Sequence, residues 1–113
     1  MEIQALTANQ LGLNTSVWTI MFFSAYKRSD VINLTCELYT ASVIVANNTY
    51  NNVFTIPSGL RPKINNVANV IATNGSYGNT VACCGMISTD GKFSITIPKS
   101  DNKYIFINAE WRI

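Results

Sequence analysis

Val31-Ile32-Asn33-Leu34-Thr35-Cys36-Glu37-Leu38-Tyr39 decides the fold class. Ile32, Leu34, Cys36 and Leu38 fall on one face, and Asn33, Thr35 and Glu37 on the other. Period-two alternation of this kind belongs to a β-strand with one face in a core. The same period continues on both sides. It predicts strands at 17–26, 41–46, 53–56, 67–73, 80–88, 93–97 and 104–113, each bounded by turn chemistry. The turns are Lys27-Arg28-Ser29-Asp30, an Asn-rich loop at 47–52, a Gly-rich loop at 74–79, Thr89-Asp90-Gly91-Lys92, and a break at Pro98. Asp90-Gly91 is expected to form a type I′ hairpin turn. About eight short strands with no helical segment predict an all-β, antiparallel β-sandwich, jelly-roll-like in layout. Residues 16–113 form this domain. Residues 1–15 read either as a lead-in or linker to something upstream, or as an arm packed on the domain.

Composition narrows the chemistry. The 113 residues suffice for one core, and 48% are apolar. Only 12% are charged, about half the usual share of roughly 25%; Asn, Ser and Thr supply the polarity. The net charge of +2 is scattered, without the basic stripe that nucleic-acid binding needs. Histidine is absent, which removes the commonest general base and metal ligand. Ser, Thr and Cys therefore lack their usual catalytic partner, and Asp30, Asp90 and Asp101 sit where turns want Asp. The chain reads as a non-enzyme with no metal and no cofactor.

Cys83 and Cys84 are strand neighbours pointing to opposite faces, so with Cys36 they read as free thiols packed as small apolar side chains. Free thiols place maturation in a reducing cytoplasm. The apolar run at 17–25 is too short and interrupted to span a membrane, and the sequons at Asn14, Asn33, Asn47 and Asn74 are chance matches in an Asn- and Thr-rich chain.

Two features go beyond a plain sandwich. Trp18-Thr19-Ile20-Met21-Phe22-Phe23 is apolar on both faces, and Tyr104-Ile105-Phe106-Ile107 nearly so. A half-buried strand needs one apolar face only, so the second face is expected to meet another subunit, the alternative being a central strand covered by the N-terminal arm. The loops at 47–52 and 74–79 carry Tyr50 and Tyr77 beside Asn48, Asn74 and Asn79. Aromatic rings stack on the C–H faces of sugars and amides bond hydroxyls, so these five residues are the candidate saccharide contacts.

Ile56-Pro57-Ser58-Gly59-Leu60-Arg61-Pro62-Lys63 makes a stiff corner. Pro57 ends the strand, Gly59 can take positive φ, and Pro62 holds Arg61 extended. The order of this corner, the Gly loop, the Asp90-Gly91 hairpin and the aromatic closing strand at 104–111 resembles the C-terminal tip (head) domain of bacteriophage tail-fibre and baseplate receptor-binding proteins. That family's corner runs leucine-proline-x-glycine-tyrosine-arginine-proline; Ile56 and Leu60 replace its leucine and tyrosine. The resemblance covers about residues 17–113. It implies a homotrimeric head on an upstream fibre or baseplate segment, made in the bacterial cytoplasm, carried on the virion and contacting a host cell-surface saccharide. Pro57, Gly59, Arg61 and Pro62 are then a structural corner, with Arg61 tying down loop carbonyls or a carboxylate. A structural trimerising component of a tail or baseplate, or a stand-alone lectin or adhesin, are the alternatives.

Overall fold

A computed structural model describes residues 2–75 and 80–113. Eight strands are present: β1 (Ile3–Leu6), β2 (Thr19–Arg28), β3 (Val31–Tyr39), β4 (Thr49–Thr55), β5 (Asn66–Thr73), β6 (Val81–Ile87), β7 (Lys92–Thr96) and β8 (Tyr104–Arg112). All pairings are antiparallel, as the alternation required. The strands form one continuous sheet in the order β1-β2-β3-β8-β5-β6-β7-β4. It curls into a sandwich-like shape: β2 and β4 lie near opposite ends of the order, yet the Phe23 and Phe54 rings sit 6.4 Å apart.

The inner face carries the core. Ile32, Leu34, Cys36 and Leu38 of β3 are buried, as are Ile105, Ile107, Ala109 and Trp111 of β8. Phe54 also packs on Phe93, at 5.5 Å between rings. On β6, between Ala68 of β5 and Ile95 of β7, Gly85 is close-packed: an added Cβ would lie 2.7 Å from Val70.

The eight strands are not all the predicted eight. Residues 41–46 form no strand. Their alternation is present, with Ile44 buried and Val43 and Val45 exposed. This segment must cross from β3 to β4 at the far edge of the sheet, so it has no neighbouring strand to pair along. It is tied at points instead: Thr40 N–H to the Lys103 carbonyl at 3.1 Å, and Asn47 N–H to the Ile97 carbonyl at 2.8 Å. In compensation, β4 extends back to Thr49 into the predicted Asn loop, with a register shift after Tyr50 and Asn52 at φ 60°.

The additional strand is β1, inside the expected lead-in. Residues 2–15 are packed on the domain: Leu6, Leu11 and Leu13 are buried. Thr7-Ala8-Asn9-Gln10 forms a capping box, with Gln10 N–H to Thr7 Oγ1 at 3.1 Å and Thr7 N–H to Gln10 Oε1 at 2.8 Å. Gly12, at φ 76°, then lays the chain along β4: Thr55 N–H reaches the Gly12 carbonyl at 2.9 Å and Asn14 N–H the Val53 carbonyl at 3.0 Å. The arm thereby joins the two ends of the sheet.

The corner and the hairpin prove to be one assembly. Ile56 N–H donates to the Gly91 carbonyl at 2.8 Å, and Arg61 Nε donates to the Ile56 carbonyl at 2.8 Å. Trp111 Nε1 donates to the Leu60 carbonyl at 2.7 Å, and Pro62 is buried. Gly59 does not use its freedom to take positive φ; it lies in a 3-10 turn, Ser58–Leu60, with open space around it. One local expectation is corrected. The hairpin is not type I′. Ser88 and Lys92 close a three-residue loop in which Gly91 alone has positive φ, 90°. Asp90 stays at ordinary φ because its carboxylate accepts from the Ser88 hydroxyl and from Lys92 N–H. The Ser88 hydrogen bond, then that of Lys92 N–H, holds the Asp90 carboxyl below its usual range.

All three cysteines are free thiols. Burial pushes Cys36 up to about 12, and burial followed by the adjacent Cys84 pushes Cys83 up to about 11. Cys84 is exposed on the outer face. With iodoacetamide at about pH 8, Cys84 is expected to react first, Cys83 slowly, and Cys36 only after unfolding. Mass spectrometry of timed aliquots checks the order; labelling of Cys36 as fast as Cys84 would contradict the burial described. No helix among the described residues is long and apolar enough to cross a membrane.

Candidate functional site

The five predicted contacts are not equivalent. Tyr50 is half-buried against the core, and its hydroxyl accepts Val45 N–H at 2.6 Å. It holds the 40–48 crossover and is not a free stacking platform. Asn48 is exposed in the turn before β4, where its N–H bonds the Val45 carbonyl at 3.2 Å. Asn74 is exposed just after β5. Tyr77 and Asn79 lie outside the described residues. Strand direction brings Asn48 and Asn74 to the same end of the sheet, where β4 begins and β5 ends. The corner with Pro57, Gly59, Arg61 and Pro62 lies at the opposite end, beside the Ser88–Lys92 hairpin and the end of β8. Arg61 Nε is used there on the Ile56 backbone carbonyl.

A second constellation is built on the outer sheet face, from residues far apart in sequence. The register aligns Phe22 of β2 with Glu37 of β3, Glu37 with Phe106 of β8, and Phe106 with Ile71 of β5. One step along the strands, Thr35, Asn108 and Asn69 form a parallel polar row. Directly opposed side chains on one face have Cβ atoms about 4.5–5.5 Å apart, so each row is a contiguous strip. Phe22 and Ile71 are 54% and 43% exposed, far above what a strand covered on both faces would show.

These two rows line an open groove of about 540 Å³, within the range of small-ligand sites. Glu37 and Phe106 also border a smaller hollow of about 220 Å³, with Thr73, Gly75 and Tyr104. Tyr104 packs against Tyr39 with the rings tilted and 4.7 Å apart, and Gly75 lies by Tyr104: a Cβ there would sit 3.6 Å from its ring. A track therefore runs from the start of the Gly-rich loop, past Tyr104 and Glu37, into the groove between Phe22 and Phe106. One end of it is the loop already marked by sequence; its body is not.

The sequence held a trace of this groove. The doubly apolar segments at 18–23 and 104–107 signalled an unusual second face, but only the topology shows that β3 brings Glu37 between them. The rest of the outer face adds Val67 and Met86 on β5 and β6, 71% and 42% exposed. Ile20 and Met21 are exposed on β2 where β1, which pairs only with Ala25–Arg28, leaves the edge open.

Chemically, the groove offers two aromatic rings, an aliphatic side chain, one carboxylate and a line of amides and hydroxyl. Its surface is mainly apolar and can stack an apolar ring face, while the Thr35, Asn108 and Asn69 row offers hydrogen-bonding groups along it. Among the described residues no group of three or more His, Cys, Asp or Glu is placed to hold a metal ion. In comparison with known proteins, the chain matches no family model and no curated protein.

Proposed function

We propose that this chain is a non-enzymatic adhesion domain, the tip of a phage receptor-binding protein, which binds a saccharide of the host cell surface and works as a homotrimer on the virion. The observation that carries the binding half is the Phe22–Glu37–Phe106 row lying beside the Thr35–Asn108–Asn69 row in one open groove. Rings for C–H faces and amides for hydroxyls stand side by side, which is what sugar recognition asks of a surface. The family resemblance of the corner, hairpin and closing strand supplies the biological setting.

Assembly draws on other residues. Ile20, Met21, Val67 and Met86 are exposed apolar side chains outside the groove, and an open apolar strand edge invites pairing with another chain. Three copies would multiply a weak single-site affinity through effective concentration. A purely structural trimerising role is the second reading. It is favoured by Tyr50, whose hydroxyl is engaged within the fold.

The test is binding of the fluorescently labelled domain to a panel of bacterial cells and their purified wall polysaccharides, with light scattering on the same sample. The expected result is a particle of three times the 12.5 kDa chain mass that adsorbs to a subset of cells and is competed off by their polysaccharide. A trimer that adsorbs to none would favour the structural role. A monomer at micromolar concentration would overturn the assembly half.

A further inference from the structure

We infer that the saccharide bound in this groove carries a free ammonium group, as an unacetylated amino sugar does, and that Glu37 is the residue that selects it. The inference rests on the saccharide-binding reading and names the class of sugar. Glu37 stands in the middle of an otherwise uncharged row, with Phe22 on one side, Phe106 on the other and Ile71 beyond. Its neighbours along β3 on the same face are Thr35 and Tyr39. No lysine or arginine faces it from either adjacent strand at that level. Among the described residues the ion pairs are Lys92 with Asp90 at 3.8 Å and Arg112 with Asp30 at 3.7 Å, so Glu37 has no cation of its own.

A carboxylate set between two phenyl side chains has no charged donor beside it, and an ammonium bonds it more strongly than a neutral hydroxyl does. A phenyl ring that turns its face to that cation adds a further attraction. Charge and shape thus ask for one ligand group: a positive centre attached to an apolar face. A lysine side chain would meet that demand but would leave the parallel row of Thr35, Asn108 and Asn69 without partners. An amino sugar meets both, with its ammonium on Glu37, its C–H face on Phe22 or Phe106, and its hydroxyls on the amides. The hollow bordered by Glu37, Thr73, Gly75 and Tyr104 leaves room for a second sugar unit towards the Gly-rich loop.

The experiment compares two probes by isothermal titration calorimetry near pH 6, where a sugar amine is protonated. One is a β-1,4-linked glucosamine tetrasaccharide and the other its fully N-acetylated counterpart. The wild-type domain is expected to bind the glucosamine tetrasaccharide at least about tenfold more tightly, the size of one charge-assisted hydrogen bond. Glu37→Gln keeps the side-chain shape, and its melting temperature is read alongside. It is expected to bind the two probes alike, at the weaker level. Equal or tighter binding of the N-acetylated probe by the wild type, or an undiminished preference in Glu37→Gln, would overturn the role of Glu37 while leaving saccharide binding intact. Failure of both probes, with adsorption to cells still competed by polysaccharide, would overturn the amino-sugar class alone. Failure of both probes with no adsorption to any cell would overturn the saccharide reading itself.

Discussion

Gly91→Ala is expected to lower stability by about 3 kcal/mol or more, while Gly59→Ala, in the corner that Gly91 touches, costs nothing. Gly91 has φ 90°, and a Cβ built on it would fall 2.3 Å from the Ile56 carbonyl oxygen and 2.7 Å from Arg61 Nε. The first contact is backbone and cannot move without breaking the Ile56 N–H to Gly91 carbonyl bond. The second forces Arg61 off the Ile56 carbonyl. Strain from the left-handed conformation and loss of two hydrogen bonds act together. Gly59 has an ordinary φ and nothing within 4 Å of a built Cβ. There alanine only restricts the unfolded chain, a gain of roughly 0.4–1 kcal/mol. For a domain of this size each kcal/mol moves the melting temperature by roughly 4 °C. Thermal denaturation of the two variants side by side should therefore separate them by more than about 12 °C. Equal melting temperatures would mean that hairpin and corner are not joined as described.

The second large effect concerns binding. Phe106→Ala and Phe22→Ala are each expected to reduce saccharide binding by about tenfold to a hundredfold with a much smaller change in stability. Both rings belong to the outer face. Phe22 is 54% exposed and Phe106 half-buried, so neither truncation opens a core cavity. Losing a stacking face removes contact area and also uncovers Glu37 to water, which weakens any charge-assisted bond it makes. Titration of each variant with the polysaccharide that binds the wild type, next to its melting curve, gives the two numbers. A variant that melts normally and binds normally would remove the groove from consideration.

How much of this was legible in the sequence depends on what each residue had to know. Val31–Tyr39 could be read residue by residue because β3 buries one face along its whole length. The segment at 41–46 carries the same alternation and misled, because alternation reports which way side chains point and not whether a neighbouring strand exists. β1 and the capping box at Thr7–Gln10 were readable in principle. The threonine-to-glutamine spacing is a known helix-start signal, but here it makes a single turn that steers the chain to Gly12. Asp90-Gly91 announced a hairpin correctly; its type was decided by the Ser88 hydroxyl, two residues before the aspartate.

The groove is the clearest case of information that only topology supplies. Glu37, Phe106 and Ile71 are separated by dozens of residues and become neighbours because β8 inserts between β3 and β5. Local pattern put the saccharide contacts on Asn- and Tyr-bearing loops, where Tyr50 turns out to brace the chain. The same chemistry, rings beside amides, recurs on the sheet face, where no local spacing could reveal it.

The most direct measurement is amide chemical-shift mapping by NMR as the cell-derived polysaccharide is titrated into the isotopically labelled domain. The groove predicts a connected set of shifts in the middle of β3 and β8, at residues 35–39 and 104–108, joined by residues 69–73 of β5 and by Phe22. Shifts confined to the Ser88–Lys92 hairpin, the Ile56–Pro62 corner or the turn at Asn48, with β3 and β8 silent, would contradict the assignment of binding to this face.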